Sequence, residues 1–293
     1  MKKTIILFTW TLFSLAVSAQ LPDTDIFLSE MSVEKGKPKF SVPLNITHRT
    51  GYDNQPAFSP DGKSLLYVSV IDTTQSDIYK YMIESGKTSQ VTHSKESEYS
   101  PTYSADGKKF SMVRVDRDSG QRFYEAALDD VKHPVVVPST DSVGYFCRLN
   151  DSLLAMFVVG ETSTLQLLNT KTNTRKTICR NPGRCIKLTP DKKNMLYILK
   201  LGDGDWTIYK YDLATSQSSK WIACLKDNED FAVMSNGSLL MGATGKLYQS
   251  DPEKGLDWQE IADFSATIKS FYRIALSPAG DRIAFVSFTG KKP

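Results

Sequence analysis

The chain has 293 residues, with 36 lysines and arginines against 33 aspartates and glutamates, a formal net charge of +3. So even a balance excludes a nucleic-acid binder with a clustered basic face and a polybasic membrane-surface protein. The four cysteines include no C-x-x-C pair and have no histidine beside them, which argues against a cysteine-built metal site.

The first nineteen residues read as a targeting segment. Lys2 and Lys3 supply a positive start, residues 5–17 are apolar apart from Thr9, Thr11 and Ser14, and Val17-Ser18-Ala19 offers small residues to a signal peptidase. Cleavage after Ala19 is expected. The apolar run is shorter than the roughly 20 residues a membrane span needs, and no cysteine stands at the cleavage point to carry a lipid. Residues 20–293 are then expected to form a single domain, periplasmic or secreted, with 34 basic and 33 acidic residues.

Along this domain one turn returns. Ser59-Pro60-Asp61-Gly62 is followed by Ser104-Ala105-Asp106-Gly107, Leu149-Asn150-Asp151, Thr189-Pro190-Asp191-Lys192, Ser235-Asn236-Gly237 and Ser277-Pro278-Ala279-Gly280, at intervals of 45, 45, 40, 46 and 42 residues. Proline presets φ, aspartate or asparagine bonds its own backbone, and glycine supplies positive φ. The first copy shows the unit. Pro56-Ala57-Phe58 enters the turn and Ser64-Leu65-Leu66-Tyr67-Val68-Ser69 leaves it. After a polar loop over residues 72–76, Asp77-Ile78-Tyr79-Lys80-Tyr81 alternates in the manner of a strand with one wetter face. A turn at Glu84-Ser85-Gly86-Lys87 leads to an outermost strand, Ser89-Gln90-Val91-Thr92.

Six such units with this period predict an all-β fold, a six-bladed β-propeller of four-stranded antiparallel blades. The sixth copy stops after its two inner strands. At the other end of the chain, Asp25-Ile26-Phe27-Leu28 matches Asp77-Ile78-Tyr79-Lys80, and Leu44-Asn45-Ile46-Thr47 matches Ser89-Gln90-Val91-Thr92. The N-terminal strands are therefore expected to complete the last blade and close the ring, leaving no broken edge.

The pattern P-x-F-S-P-D-G, an apolar strand, D-I-Y, a glycine turn and V-T resembles the TolB-like repeat, a relative of the WD-type repeat, over nearly all of residues 20–293. Copies one and two match well, four and six in part, three and five poorly. The resemblance implies the propeller and little about chemistry. Blades of this kind occur in TolB, which binds envelope partners, in propeller domains of prolyl-oligopeptidase-type peptidases, and in sugar-acid lyases. The additional α/β domain of TolB has no counterpart here, nor has the G-x-S-x-G nucleophile turn of the peptidases, and three histidines fall short of the histidine-rich metal sites of the lyases.

No phosphate loop, H-E-x-x-H or EF-hand loop occurs, so no catalytic residue is nominated. His48 and His93 are 45 residues apart and read as one copied repeat position rather than a shared metal site. Asp72, Asp116-Arg117-Asp118 and Asp203-Gly204-Asp205 populate equivalent loops. A hard divalent cation such as Ca²⁺ would sit there if anywhere, but aspartate and glycine suit tight hairpins for backbone reasons alone, and no cofactor is expected. Residues leading into the innermost strands are expected at the funnel mouth. Tyrosine and arginine favour interfaces, so the nominated binding residues are Tyr52, Asp53, Asp72, His93, Glu98, Tyr99, Arg114, Arg117 and Trp206. Cys179 and Cys185 bracket a turn-rich loop and are the best disulfide pair; other pairings and four free thiols stay open.

The expected function is an exported, monomeric binding scaffold for an envelope protein or peptide, recognised through the loop face and central funnel, and not an enzyme. The alternative is a metal-dependent lactonase or lyase acting on a sugar acid in the funnel, for which Asp53, Glu98, Glu229 and Asp230 are the nearest ligands by position.

Overall fold

In the repeated turn, one hydroxyl and one carboxylate replace the backbone bonds that a hairpin loses at its tip. In the first copy the Ser59 hydroxyl donates to Asp61 Oδ1 at 2.6 Å and accepts the Ser64 N–H at 3.0 Å, while Asp61 Oδ1 also accepts the Lys63 N–H. The same three bonds recur around Ser104 and Asp106 and around Thr189 and Asp191. Ser277 uses Asp281 instead. The worn copies keep only an asparagine, Asn150 or Asn236, whose Oδ1 accepts the N–H two residues on.

The computed structural model describes residues 21–35, 37–71, 75–202 and 204–289. The targeting segment, Asp72 and Asp203 lie outside them. The described residues are all-β. The chain opens with β1 (Thr24–Glu34), β2 (Lys37–Phe40) and β3 (Leu44–Asn45), then runs through meanders. The first is β4 (Tyr52–Phe58), β5 (Ser64–Val70), β6 (Asp77–Met82) and β7 (Lys87–Gln90). The second is β8 (Ser97–Tyr103), β9 (Lys109–Val115), β10 (Gln121–Ala127) and β11 (Asp130–Val136). The third is β12 (Val143–Arg148), β13 (Leu153–Val158), β14 (Thr164–Asn169) and β15 (Thr174–Arg180). The fourth is β16 (Pro182–Leu188), β17 (Asn194–Lys200), β18 (Trp206–Asp212) and β19 (Ser218–Ala223). The fifth is β20 (Phe231–Val233), β21 (Leu239–Ala243), β22 (Lys246–Asp251) and β23 (Leu256–Asp263). The chain ends with β24 (Phe271–Leu276) and β25 (Arg282–Phe288).

Meanders two to five are separate four-stranded antiparallel sheets. The remaining strands form one sheet in the order β24-β25-β1-β4-β5-β6-β7, with β2 and β3 also on β1. The N-terminal strand β1 lies antiparallel to the C-terminal strand β25, with Ile26 opposite Val286 and Leu28 opposite Ala284. β3 flanks β1 through Leu28 and Leu44. A single parallel pairing, Thr24 with Tyr52, links this group to β4.

The second strand of the first meander is covered on both faces, which is why it reads as a nearly continuous apolar run rather than an alternation; every residue of β5 is buried. Successive side chains point to opposite neighbours. Leu66 and Ile78 meet Phe110, Met112 and Tyr124 of the next meander, while Leu65 and Tyr67 meet Ile26, Ala284 and Val286 of the β25–β1 pair. Similar clusters join the second meander to the third, the third to the fourth, the fourth to the fifth, and the fifth to β24, β25 and β1. Each large side chain so buried contributes roughly 1.5–3 kcal/mol. The outer strands β7, β11, β15 and β19 are mostly exposed.

The expected Cys179–Cys185 disulfide is absent: all four cysteines are free thiols. The two belong to different seams. Cys179 packs in the cluster between the third and fourth meanders. Cys185 is buried between the fourth and fifth, where its sulfur is 3.3 Å from the Phe231 carbonyl oxygen.

Candidate functional site: the cavity among the inner strands

Each meander's first strand except β20, and β24 as well, contains a register break. It falls between Asn54 and Ala57 in β4, Tyr99 and Thr102 in β8, Val143 and Tyr145 in β12, Pro182 and Ile186 in β16, and Tyr272 and Ile274 in β24. A bulge re-aims the side chain it carries. Gln55, Ser100 and Arg273 sit in three of these breaks with positive φ, +56°, +55° and +47°. For residues with a Cβ that conformation is costly and points to a site worth examining.

The bulges open onto one cavity of about 360 Å³, lined by residues of β4, β8, β12, β16, β20 and β24, together with Asp230 beside β20. Its polar and charged lining includes Gln55, Ser100, Tyr145, Arg184, Asp230 and Arg273; Phe146, Ile186 and Phe231 add apolar wall. The Arg184 guanidinium holds Asp230 and, at 3.3 Å, Glu229. Glu229 also takes Lys200 at 2.8 Å and the Arg184 backbone N–H. Burial would raise the Asp230 carboxyl, but Arg184 and Arg273 outweigh it and hold it below its usual range. The charged side chains in and behind the lining, Arg184, Lys187 and Arg273 against Asp230 and Glu229, leave an excess of positive charge. Arg273 donates from Nη2 to the Tyr145 hydroxyl at 3.0 Å, and its guanidinium lies 5.2 Å from the centre of the Tyr145 ring. Tyr272 in turn accepts from Asn54 at 2.8 Å. Gln55 Oε1 accepts the Ser100 N–H at 2.6 Å.

None of the nominated binding residues that the structure describes lines this cavity. Tyr52 and Tyr99 pack in the seam between the first two meanders, and burial drives the Tyr52 phenol well above its ordinary range. Asp53 is buried against Arg49 at 2.5 Å, and burial pushes its carboxyl up to about 6. Glu98 is buried and accepts from Thr92 and Ser94; burial pushes it up to about 7. Arg114 binds Asp116 and Tyr124 within its own hairpin. His93 and Arg117 are exposed, with Arg117 3.4 Å from Glu96. Trp206 lies under Lys200, 4.1 Å from its ring centre. The described members of the nominated set are thus spread over seams and rim, not gathered. The cavity residues share a positional signal in the sequence. Gln55, Ser100, Tyr145 and Arg273 each stand four positions before the start of a repeated turn, and Arg184 and Asp230 five.

The four carboxylates nearest the axis by position are engaged as partners of cations or hydroxyls. Among the described residues no group of three or more His, Cys, Asp or Glu could hold a metal ion. No helix among the described residues is long and apolar enough to cross a membrane.

No protein-family model matches the chain, and no curated protein matches it in sequence. Solved structures do match in shape. A structure from Agrobacterium tumefaciens carrying a provisional TolB assignment aligns with a TM-score of 0.70 at 11% identity, over 92% of this chain and 99% of that one. An oligogalacturonate lyase in complex with manganese aligns at 0.59 and 14%, over 85% and 80%. The β-propeller domain of the trilobed protease from Pyrococcus furiosus aligns at 0.50 and 13%, over 78% and 77%. At such identities the likeness is one of fold alone, and on that ground the chain is a β-propeller.

Proposed function

We propose that residues 20–293 form a closed six-bladed propeller, exported after removal of residues 1–19, that serves as a binding scaffold for a protein or peptide of the cell envelope. What carries this reading is the convergence of β4, β8, β12, β16, β20 and β24 on a single cavity. The cyclic series of seams, ending where β1 and β25 meet β4–β6, supports the closed ring. The likeness to TolB-type structures supports a protein partner and an envelope location. A rigid ring presenting side chains from every blade suits recognition.

The second reading is a metal-dependent lyase or lactonase acting on a sugar acid, favoured by the likeness to a manganese-bound lyase. Against it stand the positive cavity and carboxylates already engaged with arginine, lysine or hydroxyl groups. Affinity capture decides between them. Residues 20–293 are immobilised and washed with detergent-solubilised envelope, with and without chelator. A stoichiometric protein partner insensitive to chelator is the expected result. No partner, together with manganese retained until chelation, would sink the scaffold and favour the enzyme.

A further inference from the structure

Arg184 and Arg273 line the same cavity but are treated differently by the fold. Arg184 is neutralised by Asp230 and Glu229. Arg273 has no carboxylate within 4 Å among the described residues. Its guanidinium donates to a neutral phenol, Tyr145, and its Nε is buried with no acceptor among the described residues. Arg273 is half-buried with no ion pair of its own, Asp230 acting on it only from beyond contact distance, and it is held on a bulge whose positive φ is itself costly. Its guanidinium lies over the Tyr145 and Tyr272 rings, but a neutral side chain would avoid the cost of the charge.

A second polar atom in the cavity is equally unmatched. Ser100, on the corresponding bulge of β8, has a buried hydroxyl with no partner, while its backbone N–H is committed to Gln55. Buried groups of this kind ordinarily find partners, and both line the cavity. The lining also carries Lys187, so Arg184, Lys187 and Arg273 stand against Asp230 in the lining and Glu229 behind Arg184, three cations to two carboxylates. An incoming anion would meet an excess of positive charge.

We infer that the cavity is a carboxylate-binding subsite, with Arg273 as its anchor and the Ser100 hydroxyl as a further donor. The planar fork of a guanidinium suits a planar carboxylate, which can take two parallel N–H bonds. The apolar wall formed by Phe146, Ile186 and Phe231 then accommodates the group that bears the carboxylate. In the scaffold reading, on which the biological occupant rests, that group is a peptide ending or an acidic side chain. In the enzyme reading it is a sugar acid. The chemistry at Arg273 is the same for both.

Calorimetric titration of the folded chain with N-acetylphenylalanine, N-acetylphenylalaninamide and D-gluconate separates these outcomes. The acid is expected to bind, and amidation to weaken it about tenfold or more. R273Q should abolish the difference between acid and amide, with circular dichroism reporting that the variant is folded. The acid–amide comparison on the unaltered chain stands even if that variant fails to fold. Equal binding of acid and amide, no binding of either carboxylate, or an R273Q variant that still prefers the acid would each overturn the subsite. Gluconate binding tighter than N-acetylphenylalanine, and lost in R273Q, would keep the subsite and remove the peptide-scaffold reading.

Discussion

The Glu98 carboxylate accepts the Thr92 hydroxyl at 2.9 Å inside the seam between the first two meanders, with no cation bonded to it among the described residues. Ser94 supplies the other hydroxyl, and that hydroxyl has a second acceptor in the Glu96 carbonyl. Burial pushes this carboxyl up to about 7. Between the ordinary glutamate value and 7 the folded chain keeps a proton that the unfolded chain has released. Stability therefore falls as pH rises through that window, by on the order of 2–3 kcal/mol for so large a shift, and is level above it. Asp53, pushed up to about 6, adds to the same slope at lower pH. E98Q can keep the Thr92 contact, and its amide can donate to Ser94 once that hydroxyl turns to Glu96. Thermal unfolding from pH 4.5 to 8 should show E98Q near the unaltered chain at pH 5 and more stable at pH 8. Parallel curves would refute the buried-charge account.

Gly242 of β21 lies so close to Phe271 of β24 that a Cβ would overlap the ring. Phe271 is buried with Phe264 and Phe285 in the seam between the fifth meander and β24–β25, and has little room to withdraw. Overpacking of this kind costs typically 1–3 kcal/mol. G242A should lower the urea midpoint accordingly. A G242A/F271L double variant, which opens the contact, should recover part of the loss relative to F271L alone. Additive effects would mean that the two residues do not meet.

The thiols provide a separate check. Burial pushes Cys147, Cys179 and Cys185 up to about 11 and Cys224 up to about 12. Thiolate is the reactive form, so the folded chain should react with a thiol reagent at pH 7.5 far more slowly than the unfolded chain. Under denaturing conditions without reductant, four thiols should be counted. A count of two would restore a disulfide.

The contrast between what could be read from sequence and what could not is physical. The turns were legible because serine, aspartate and glycine at fixed offsets are the bonding groups themselves, as Ser59 and Asp61 show. The pairing of β1 with β25 was legible because Asp25-Ile26 repeats Asp77-Ile78 down to its cap: Ile26 N–H bonds Thr47 Oγ1 as Ile78 N–H bonds Thr92 Oγ1. The cavity was not legible, because strand alternation assigns faces only while the register holds. At Gln55, Ser100 and Arg273 a residue with a Cβ adopts positive φ and breaks it, and no glycine marks the place. Counting inward from the strand starts therefore led to Asp53 and Glu98, which serve the seams, rather than to Gln55 and Ser100 two positions on.

The proposed ring closure has its own consequence, carried by Ile26. This side chain is fully buried between β25 and the first meander, among Leu65, Tyr67, Ala284 and Val286. I26A removes atoms where the surroundings are held from both sides, so a loss of about 2–5 kcal/mol is expected. The shape of the transition matters more than its size. In a closed ring every blade has two neighbours, and weakening one seam lowers the stability of all. Urea unfolding of I26A should then remain a single transition, its midpoint lowered and its slope unchanged. In an open array the terminal group could detach while the other meanders stayed folded, as in stacks stabilised only by nearest neighbours. I26A would then unfold in two steps, the first of low slope. A biphasic curve would overturn the closed ring, and a single one would favour β1 as its clasp.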